Sequence, residues 1–267
     1  MTVRSDLEAD YNNRARVPDH PQVMARWKAA SQAARDAHPP RHIAHGASAR
    51  ERLDWFGAGP GAPVVVFIHG GYWQALDGDW VSFVAPPLLA HGVSVVVPTY
   101  DLCPAVRLGR IVDQMRAVTD VVRAETGRRP LVAGHSAGGH LAACLLSEGR
   151  ASAALAISGV FDLRPLVETS LNEALDLQPL EAAALSPLFW PAPNGGAPGG
   201  TALDCWVGAA ESDAFRAQSR TMAETWAAAG ADTRCIEVEG ADHFTVLDPL
   251  FDEKSAMVRR LVEMAEA

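Results

Sequence analysis

Short apolar runs alternate along the chain with segments whose apolar residues recur every three or four positions. Residues 64–68, 93–97 and 153–158 are apolar runs rich in valine, leucine or alanine, and glycine or proline follows each within two residues. Such runs are typical of parallel strands that are buried on both faces. The pattern therefore predicts a central sheet built mainly from parallel strands.

The remaining segments extend this alternation to the whole length. Further strands are predicted at residues 50–56, 131–133, 203–207 and 234–238. Helical faces are predicted where apolar residues repeat at helical spacing, as in Ile111, Met115, Val118 and Val122, and again in Met257, Val258, Leu261 and Val262. Alternating strands and helices predict one α/β domain over residues 1–267, with helices on both faces of a mostly parallel sheet.

Two segments depart from the alternation. Residues 1–40 are polar and helix-prone and end in two prolines, which predicts an N-terminal helical arm that either packs on the main body or roofs a pocket. Residues 160–200 contain six prolines and two glycine pairs, which predicts short helices and loop. This insertion either acts as a small lid that carries Leu188, Phe189 and Trp190 toward a site, or is a surface excursion.

Composition narrows the class of partner. Of the 267 residues, 48% are hydrophobic, which is enough for one sizeable core, and the net charge of −9 argues against a nucleic-acid partner. No apolar run approaches the roughly 18 residues of a membrane span, and the polar start of the chain lacks a secretory signal. We therefore predict a cytoplasmic protein with no membrane partner. Four cysteines without C-x-x-C spacing, namely Cys103, Cys144, Cys205 and Cys235, are predicted to be reduced and buried.

The strongest chemical signal is the pentapeptide at residues 134–138, in which Ser136 occupies the centre of G-x-S-x-G. An apolar strand precedes it and an Ala/Leu-rich segment follows, so the predicted context is strand, sharp turn, helix, as in a nucleophile elbow. The N–H of Ala137 would then point at the oxyanion that forms when Ser136 attacks a carbonyl. The alternative is a Gly-Ser turn before an ordinary buried helix.

A second glycine-rich turn directly follows the strand at 64–68. Its sequence is His69-Gly70-Gly71-Tyr72-Trp73. Two glycines at the carboxyl end of a buried strand allow the backbone to turn its N–H groups into a cleft. This turn is therefore predicted to form the second half of an oxyanion hole.

A base and an acid are predicted near the two last strands. A serine hydroxyl needs an adjacent base, and His243, in the loop after the last strand, is the candidate. Glu211 and Asp213 both follow the strand at 203–207, and the residues alone prefer neither. One is expected to face inward and the other to cap the helix near Ala214. Asp242 ranks last, because it is expected to point away from its neighbour. The order serine, acid, histidine is that of α/β-hydrolases.

With these motifs the chain resembles the kynurenine formamidase (arylformamidase) group of serine α/β-hydrolases, related to esterases of the hormone-sensitive-lipase type. The resemblance spans nearly the full chain and rests on residues 69–73, 134–140, 207–219 and 242–244 and on the arm motif Tyr11-Asn12-Asn13-Arg14. Family members typically carry aspartate where this chain has Glu211. The resemblance implies Ser136 as nucleophile, Glu211 as acid and His243 as base, with an oxyanion hole formed by the N–H groups of Gly71, Tyr72 and Ala137.

The resemblance also implies a reaction. An N-formyl aryl amide such as N-formylkynurenine would be cleaved through an acyl-serine intermediate, with a small-molecule substrate, no cofactor and no metal ion. Nearby aromatic residues could stack on the aryl ring, with Trp73, Phe215 and Phe244 as the predicted substrate contacts. The alternatives are a carboxylesterase for short-chain aryl esters and a non-catalytic binding protein on a hydrolase scaffold. A homodimer is the assembly to test.

Overall fold

The computed structural model describes residues 3–193 and 202–267, which form an eight-stranded sheet. The strands are β1 (Arg41–Ala44), β2 (Arg52–Phe56), β3 (Val64–Ile68), β4 (Ser94–Thr99), β5 (Leu131–His135), β6 (Ala153–Ile157), β7 (Ala202–Gly208) and β8 (Asp232–Val238). Their order across the sheet is β1-β2-β4-β3-β5-β6-β7-β8. The β1–β2 and β2–β4 pairs are antiparallel and the others are parallel, so the predicted mostly parallel sheet is confirmed.

Helices connect the strands. In the described ranges they are α1 (Ser5–Tyr11), α2 (Asn13–Arg16), α3 (His20–Ala37), α4 (Ala85–Leu89), α5 (Leu108–Thr126), α6 (Ala137–Ser147), α7 (Asn172–Leu175), α8 (Pro179–Ala184), α9 (Asp213–Ala228) and α10 (Ala256–Glu266). Short 3-10 turns lie at Gly78–Trp80, Ser82–Val84, Arg164–Glu168, Pro187–Phe189 and Thr245–Phe251. None of these described helices is long and apolar enough to cross a membrane.

The central strand β3 shows why the sheet is covered on both faces. Its side chains alternate, so Val64, Val66 and Ile68 belong to the core that also contains residues of α5, α6 and α9. Val65 and Phe67 belong to the opposite core, with residues of α3, α4 and α10. A continuous apolar run is therefore required in this strand, because neither face of the sheet meets water.

The functional loops all follow the carboxyl ends of parallel strands. Strand β3 ends at Ile68 and β5 at His135, and these two strands are hydrogen-bonded neighbours. Strands β7 and β8, which end at Gly208 and Val238, are also paired. Because the strands are parallel, all four loops lie on the same side of the sheet, beyond the carboxyl ends of its strands. Open α/β sheets bind their ligands on this side.

Two details differ from the sequence prediction, and a third prediction lies outside the described residues. Strand β1 was not predicted, because its mostly exposed residues lack an apolar pattern. Cys235 is exposed rather than buried, because it lies on the edge strand β8, whereas the other three cysteines are buried. The predicted turns at Gly195-Gly196 and Gly199-Gly200, with Pro198, lie outside the described residues.

Candidate active site

The elbow at Ser136 is a strained turn between β5 and α6. The backbone of Ser136 has φ 56° and ψ −115°, a conformation that side-chain-bearing residues rarely adopt. The turn is held by a hydrogen bond of 2.8 Å from Ser136 N to the carbonyl of Ile157. A Cβ atom at Gly138 would lie 2.0 Å from the carbonyl oxygen of Ile68, and one at Gly134 would lie 2.4 Å from the backbone of Gly138. Both glycines are therefore required by close packing of α6 on β3 and β5.

The turn after β3 bends the backbone in the same unusual sense. Gly71, Tyr72 and Trp73 have φ values of 101°, 50° and 57°. The carbonyl of Gly71 accepts hydrogen bonds from Gln74 N and Ala75 N, which closes the turn. Within the described part of the chain, the N–H groups of Gly71 and Tyr72 donate to no backbone acceptor outside regular elements. Such N–H groups are available to an anion, as is the N–H of Ala137 at the start of α6, which directly follows Ser136.

Glu211 and His243 form a buried hydrogen-bonded pair. The Nδ1 atom of His243 lies 2.7 Å from Oε2 of Glu211. The other carboxylate oxygen, Oε1, accepts from the backbone N–H of Gly208 at 2.7 Å and from the hydroxyl of Ser158 at 2.5 Å. An ionised carboxylate only accepts, so it holds His243 in the tautomer with the proton on Nδ1 and leaves Nε2 free to act as a base.

The two rival carboxylates lie elsewhere. The side chain of Asp213 is 92% exposed and pairs with Arg216. Asp242 accepts hydrogen bonds through Oδ1 from its neighbours Phe244 N and Thr245 N at 2.8 and 2.9 Å, which fixes the His243 loop. The expectation that Glu211 or Asp213 caps the following helix is wrong, because the cap of α9 is Ser212, whose Oγ accepts from Phe215 N.

A cavity of about 200 Å³ opens onto these groups. Ser136, His135, His243 and Phe244 line it on one side, together with Gly71 and Tyr72 of the glycine turn. Ser136 and His243 both line the cavity, and in unliganded active sites the hydrogen bond between a nucleophile and its base is often long or poorly aligned. The cavity therefore brings Ser136, His243 and the glycine turn at Gly71 and Tyr72 together.

The arm contributes about a third of the described residues that line the cavity. Asn12, Asn13, Arg14, Met24 and Trp27 all line it. The interpretation in which the arm roofs a pocket is therefore the one that the geometry favours. Sequence reasoning assigned these residues no role, although the motif Tyr11-Asn12-Asn13-Arg14 was part of the resemblance.

The predicted aromatic contacts are only partly brought to the cavity. Phe244 lines it, whereas Trp73 and Phe215 are fully buried behind it. Trp73 packs edge-on against His140 with ring centroids 4.9 Å apart, and Phe215 packs against His243 at 4.7 Å. The prediction that Trp73 and Phe215 contact substrate is corrected: both support the site from the core. An aromatic residue next to a motif cannot be assigned to core or cavity from sequence alone.

The insertion reaches the cavity with one residue of its described part. Of its described residues, Leu171 lines the cavity. Phe189 is exposed and lies under the guanidinium of Arg164, and Trp190 donates from Nε1 to the carbonyl of Ala184. Leu188, Phe189 and Trp190 are not among the described residues that line the cavity, because they pack within the insertion or against the core, so the contact of the insertion with the site is limited to Leu171 in the described residues.

His135 positions the catalytic loop without carrying charge. Its Nε2 lies 2.8 Å from the carbonyl of His243, and the two rings are 4.7 Å apart. Burial and the neighbouring His243 lower the pKa of His135 well below its ordinary value. A neutral His135 donates to that carbonyl and adds no positive charge beside the base. Among the described residues, no group of three or more His, Cys, Asp or Glu side chains could hold a metal ion.

Known proteins share this arrangement of elements. A family model described as the alpha/beta hydrolase fold matches residues 65–247. Kynurenine formamidase of Danio rerio is 31% identical over 83% of this chain and 80% of its own length. Kynurenine formamidase of Drosophila melanogaster is also 31% identical, over 75% of this chain and 72% of its own. The chain belongs to the kynurenine formamidase family of α/β-hydrolases. The resemblance inferred from the sequence motifs is confirmed.

Solved structures extend the comparison over the full chain. A structure from Silicibacter sp., provisionally named a thioesterase, has a TM-score of 0.86 and is 31% identical, covering 98% of this chain and 99% of its own. An esterase of the bacterial hormone-sensitive lipase family has a TM-score of 0.71 at 19% identity, covering 93% of this chain and 97% of its own. The second match shows the shared fold alone.

Proposed function

We propose that this protein hydrolyses an N-formyl aryl amide, such as N-formylkynurenine, to the aryl amine and formate. The observation that carries the proposal is the buried Glu211–His243 pair beside Ser136 at one cavity, in a chain of the kynurenine formamidase family. Hydrolysis by an activated serine needs a nucleophile, a base, an orienting acid and oxyanion donors, and each has a candidate here.

The proposed reaction runs in two halves. Ser136 Oγ attacks the formyl carbon while its proton passes to Nε2 of His243, and the tetrahedral oxyanion is held by the N–H groups of Gly71, Tyr72 and Ala137. His243 then protonates the leaving nitrogen, and the C–N bond breaks to give formyl-Ser136 and the aryl amine. Water, deprotonated by His243, attacks the formyl ester, which releases formate and restores the Ser136 hydroxyl.

The cavity walls suit an aryl ring with a small acyl group. Met24, Trp27 and Phe244 supply apolar surface to the same enclosed space that Ser136 faces. Because the arm roofs the cavity, we infer that long acyl chains are excluded and that the formyl group is the intended one. Activity on short acyl chains is therefore expected to fall as the chain lengthens.

The same machinery supports the alternative, a carboxylesterase for short-chain aryl esters. Esterases recur among the structurally similar proteins, although at low identity they share the fold alone. Esters are chemically easier substrates than amides, so ester cleavage by itself does not argue against the formamidase. The ratio of the two activities decides between the functions.

The test is a substrate panel on the purified protein. We expect kcat/KM for N-formylkynurenine to exceed kcat/KM for a short-chain aryl ester and a short-chain thioester, and Ser136→Ala to abolish all three activities. An organophosphonate should label the protein and fail to label Ser136→Ala, which also excludes a non-catalytic binding protein. Rapid ester or thioester cleavage with negligible formamide turnover would contradict the proposed function. The cytoplasmic location and the homodimer stay predictions from the sequence.

A further inference from the structure

The arm segment at residues 11–14 is held rigidly beside the cavity. The side chain of Asn12 caps α2 by accepting from Ala15 N, and its Nδ2 donates to Glu8 at 2.8 Å. Glu8 in turn accepts from the backbone and hydroxyl of Ser170. The carbonyl of Tyr11 accepts a hydrogen bond of 2.6 Å from the hydroxyl of Tyr72 in the glycine turn. The backbone of Asn13 and Arg14 is therefore held in place by the neighbouring residues, without hydrogen bonds from the side chains of Asn13 and Arg14 to the described residues.

Asn13 is a buried amide with no partner in the described chain. Its side chain is only 3% exposed, it lines the cavity, and neither Oδ1 nor Nδ2 finds a hydrogen-bond partner among the described residues. Trp27 Nε1, on the same wall, is likewise unpartnered among them. Buried polar groups in native proteins are normally paired, and an unpaired amide costs roughly 1–3 kcal/mol. An amide retained at that cost beside the nucleophile indicates a polar ligand group.

Arg14 places a free cation on the same cavity wall. It is exposed and makes no ion pair or hydrogen bond with the residues that the structure describes, unlike most arginines of this acidic chain. Of the described residues that line the cavity, it alone has a permanent charge, and no aspartate or glutamate is among them. The guanidinium is therefore available to a ligand carboxylate and is not neutralised locally.

We propose that Asn13 and Arg14 form a recognition site for an aryl substrate that carries a carboxylate on a polar side chain, as the amino-acid head of N-formylkynurenine does. Arg14 pairs with the carboxylate, and Asn13 Nδ2 donates to the ketone that joins the side chain to the ring. This inference rests on the proposed function, because the ring and its formyl group must occupy the cavity at Ser136. It makes the arm the element that selects the substrate, while the strand loops supply the chemistry.

The first experiment compares substrates with and without the carboxylate. N-formylkynurenine is set against N-formyl-2-aminoacetophenone, which keeps the formamide and the ketone but lacks the amino-acid head. In Arg14→Gln we expect kcat/KM for N-formylkynurenine to fall about tenfold or more, mainly through KM, as for the loss of a hydrogen bond to a charged group. The truncated substrate should be hydrolysed within about twofold of wild type. Added salt should raise KM for N-formylkynurenine in the wild type more than in Arg14→Gln.

A matched control tests the position of the charge. Arg16→Gln removes an arginine from the same short helix, at a position that does not line the cavity. It should leave both substrates unchanged. Equal losses on the two substrates in Arg14→Gln, or no loss on either, would overturn the assignment of Arg14.

The second experiment separates recognition by Asn13 from a structural role. Asn13→Ala should lower kcat/KM for both ketone-bearing formamides and leave N-formylaniline, which lacks the ketone, unaffected. Since the amide has no protein partner to lose, the thermal midpoint of Asn13→Ala should equal or exceed that of wild type. A lowered midpoint with the same loss on all three substrates would show that Asn13 is structural and would overturn its assignment.

Failure of the proposed function is distinguishable from failure of this inference. If wild type cleaves aryl esters but no formamide, the proposed function fails. A pair of phenyl acetates with and without a side-chain carboxylate then reports on Arg14 directly. Loss of the preference for the carboxylate ester in Arg14→Gln would still support the recognition site, and an unchanged preference would reject it.

Discussion

At the residue scale, Glu211 shows how completely the hydrogen bonds of a buried carboxylate can be satisfied. Three donors converge on its two oxygens: His243 Nδ1, the N–H of Gly208 and the hydroxyl of Ser158. A carboxylate can satisfy all three because both of its oxygens accept. The site is therefore matched to a carboxylate in charge as well as in shape.

This match leads to a prediction for Glu211→Gln. An amide keeps the shape but has one accepting oxygen, so its NH₂ group must face either His243 or Gly208, donor against donor. The imidazolium that forms in the transition state also loses its counter-charge. We expect kcat to fall by about 10³- to 10⁴-fold, as when the acid of a serine-hydrolase triad is replaced by an amide. Steady-state kinetics with N-formylkynurenine, alongside a thermal melt, would measure this.

Asp213→Asn is the matched control for that change. Asp213 lies two residues from Glu211 but points into solvent, where it pairs with Arg216 on its own helix. Its substitution should change kcat by less than about twofold, because an exposed ion pair contributes little. Comparable losses in the two variants would mean that Glu211 is not the acid.

The residue scale also shows what sequence could predict. Ser136 and His243 were predicted as nucleophile and base from motif and chain order, and the structure brings both side chains to one cavity. The choice between Glu211 and Asp213 was left open by the residues themselves, since two carboxylates after one strand differ only in side-chain direction. Trp73 and Phe215 were misplaced for the same reason: local sequence does not state which side of a motif faces the core.

At the scale of elements, the elbow depends on how closely α6 approaches β3. Gly138, in the first turn of α6, has no room for a side chain, since a Cβ would lie 2.0 Å from the backbone oxygen of Ile68. Backbone cannot yield as a flexible side chain does. The strained conformation of Ser136 thus depends on glycine at a position that never touches substrate.

Gly138→Ala should therefore destabilise the fold and the site together. We expect the free energy of unfolding to fall by about 1–3 kcal/mol, as for overpacked cores. We also expect the fold-loss in kcat to exceed the fold-loss in affinity for a product-like aryl amine. Gly109→Ala is the control, because Gly109 also lies in the first turn of a helix, α5, but has open space around its Cβ position. It should be neutral or stabilising by about 0.5–1 kcal/mol. Urea denaturation of both variants measures the difference, and equal effects would refute the packing argument.

The arm and the insertion mark the limit of prediction for elements. Regular strands and helices were found from their apolar periodicity, which fixes the sheet and hence the edge where the loops meet. The arm has no such signal for its docking site, because its contacts with Tyr72 and Ser170 join segments far apart in sequence. Its place over the cavity follows from tertiary hydrogen bonds that no local pattern records.

At the scale of the whole molecule, burial keeps several histidines uncharged near neutral pH. Burial lowers the pKa of His69 to about 3 and that of His140 to about 4, and it lowers the pKa of His45 and His135 as well. These rings are packed parts of the core: His69 stacks on Tyr100 with centroids 4.1 Å apart, and His140 hydrogen-bonds the carbonyl of Leu185. In mild acid these histidines therefore stay neutral in the folded protein but become protonated in the unfolded chain.

This difference predicts that stability falls in mild acid. Each of these histidines has a lower pKa in the folded protein than its value of about 6.5 in the unfolded chain. Above pH 6.5 the ring is neutral in both states and does not change the free energy of unfolding. Below pH 6.5 the unfolded chain binds a proton that the folded protein does not, so stability is lost until the pH reaches the folded pKa. At pH 5 the loss is about 2 kcal/mol for each of His69 and His140, from about 1.4 kcal/mol per pH unit. Urea denaturation between pH 7.5 and 5.0 should show this decline.

A pair of variants assigns the decline to the buried rings. His140→Gln keeps a donor toward the carbonyl of Leu185 but cannot titrate. Its free energy of unfolding should therefore fall less steeply below pH 6.5, with a slope that corresponds to the uptake of about one proton fewer on unfolding. This difference in slope is expected whatever the stability of the variant at pH 7.5. His38→Gln removes a histidine that is exposed just beyond the end of α3, and its slope should match that of wild type. If His140→Gln and wild type lose stability in parallel, His140 accepts its proton in the folded state as readily as in the unfolded chain, and the acid sensitivity has another origin.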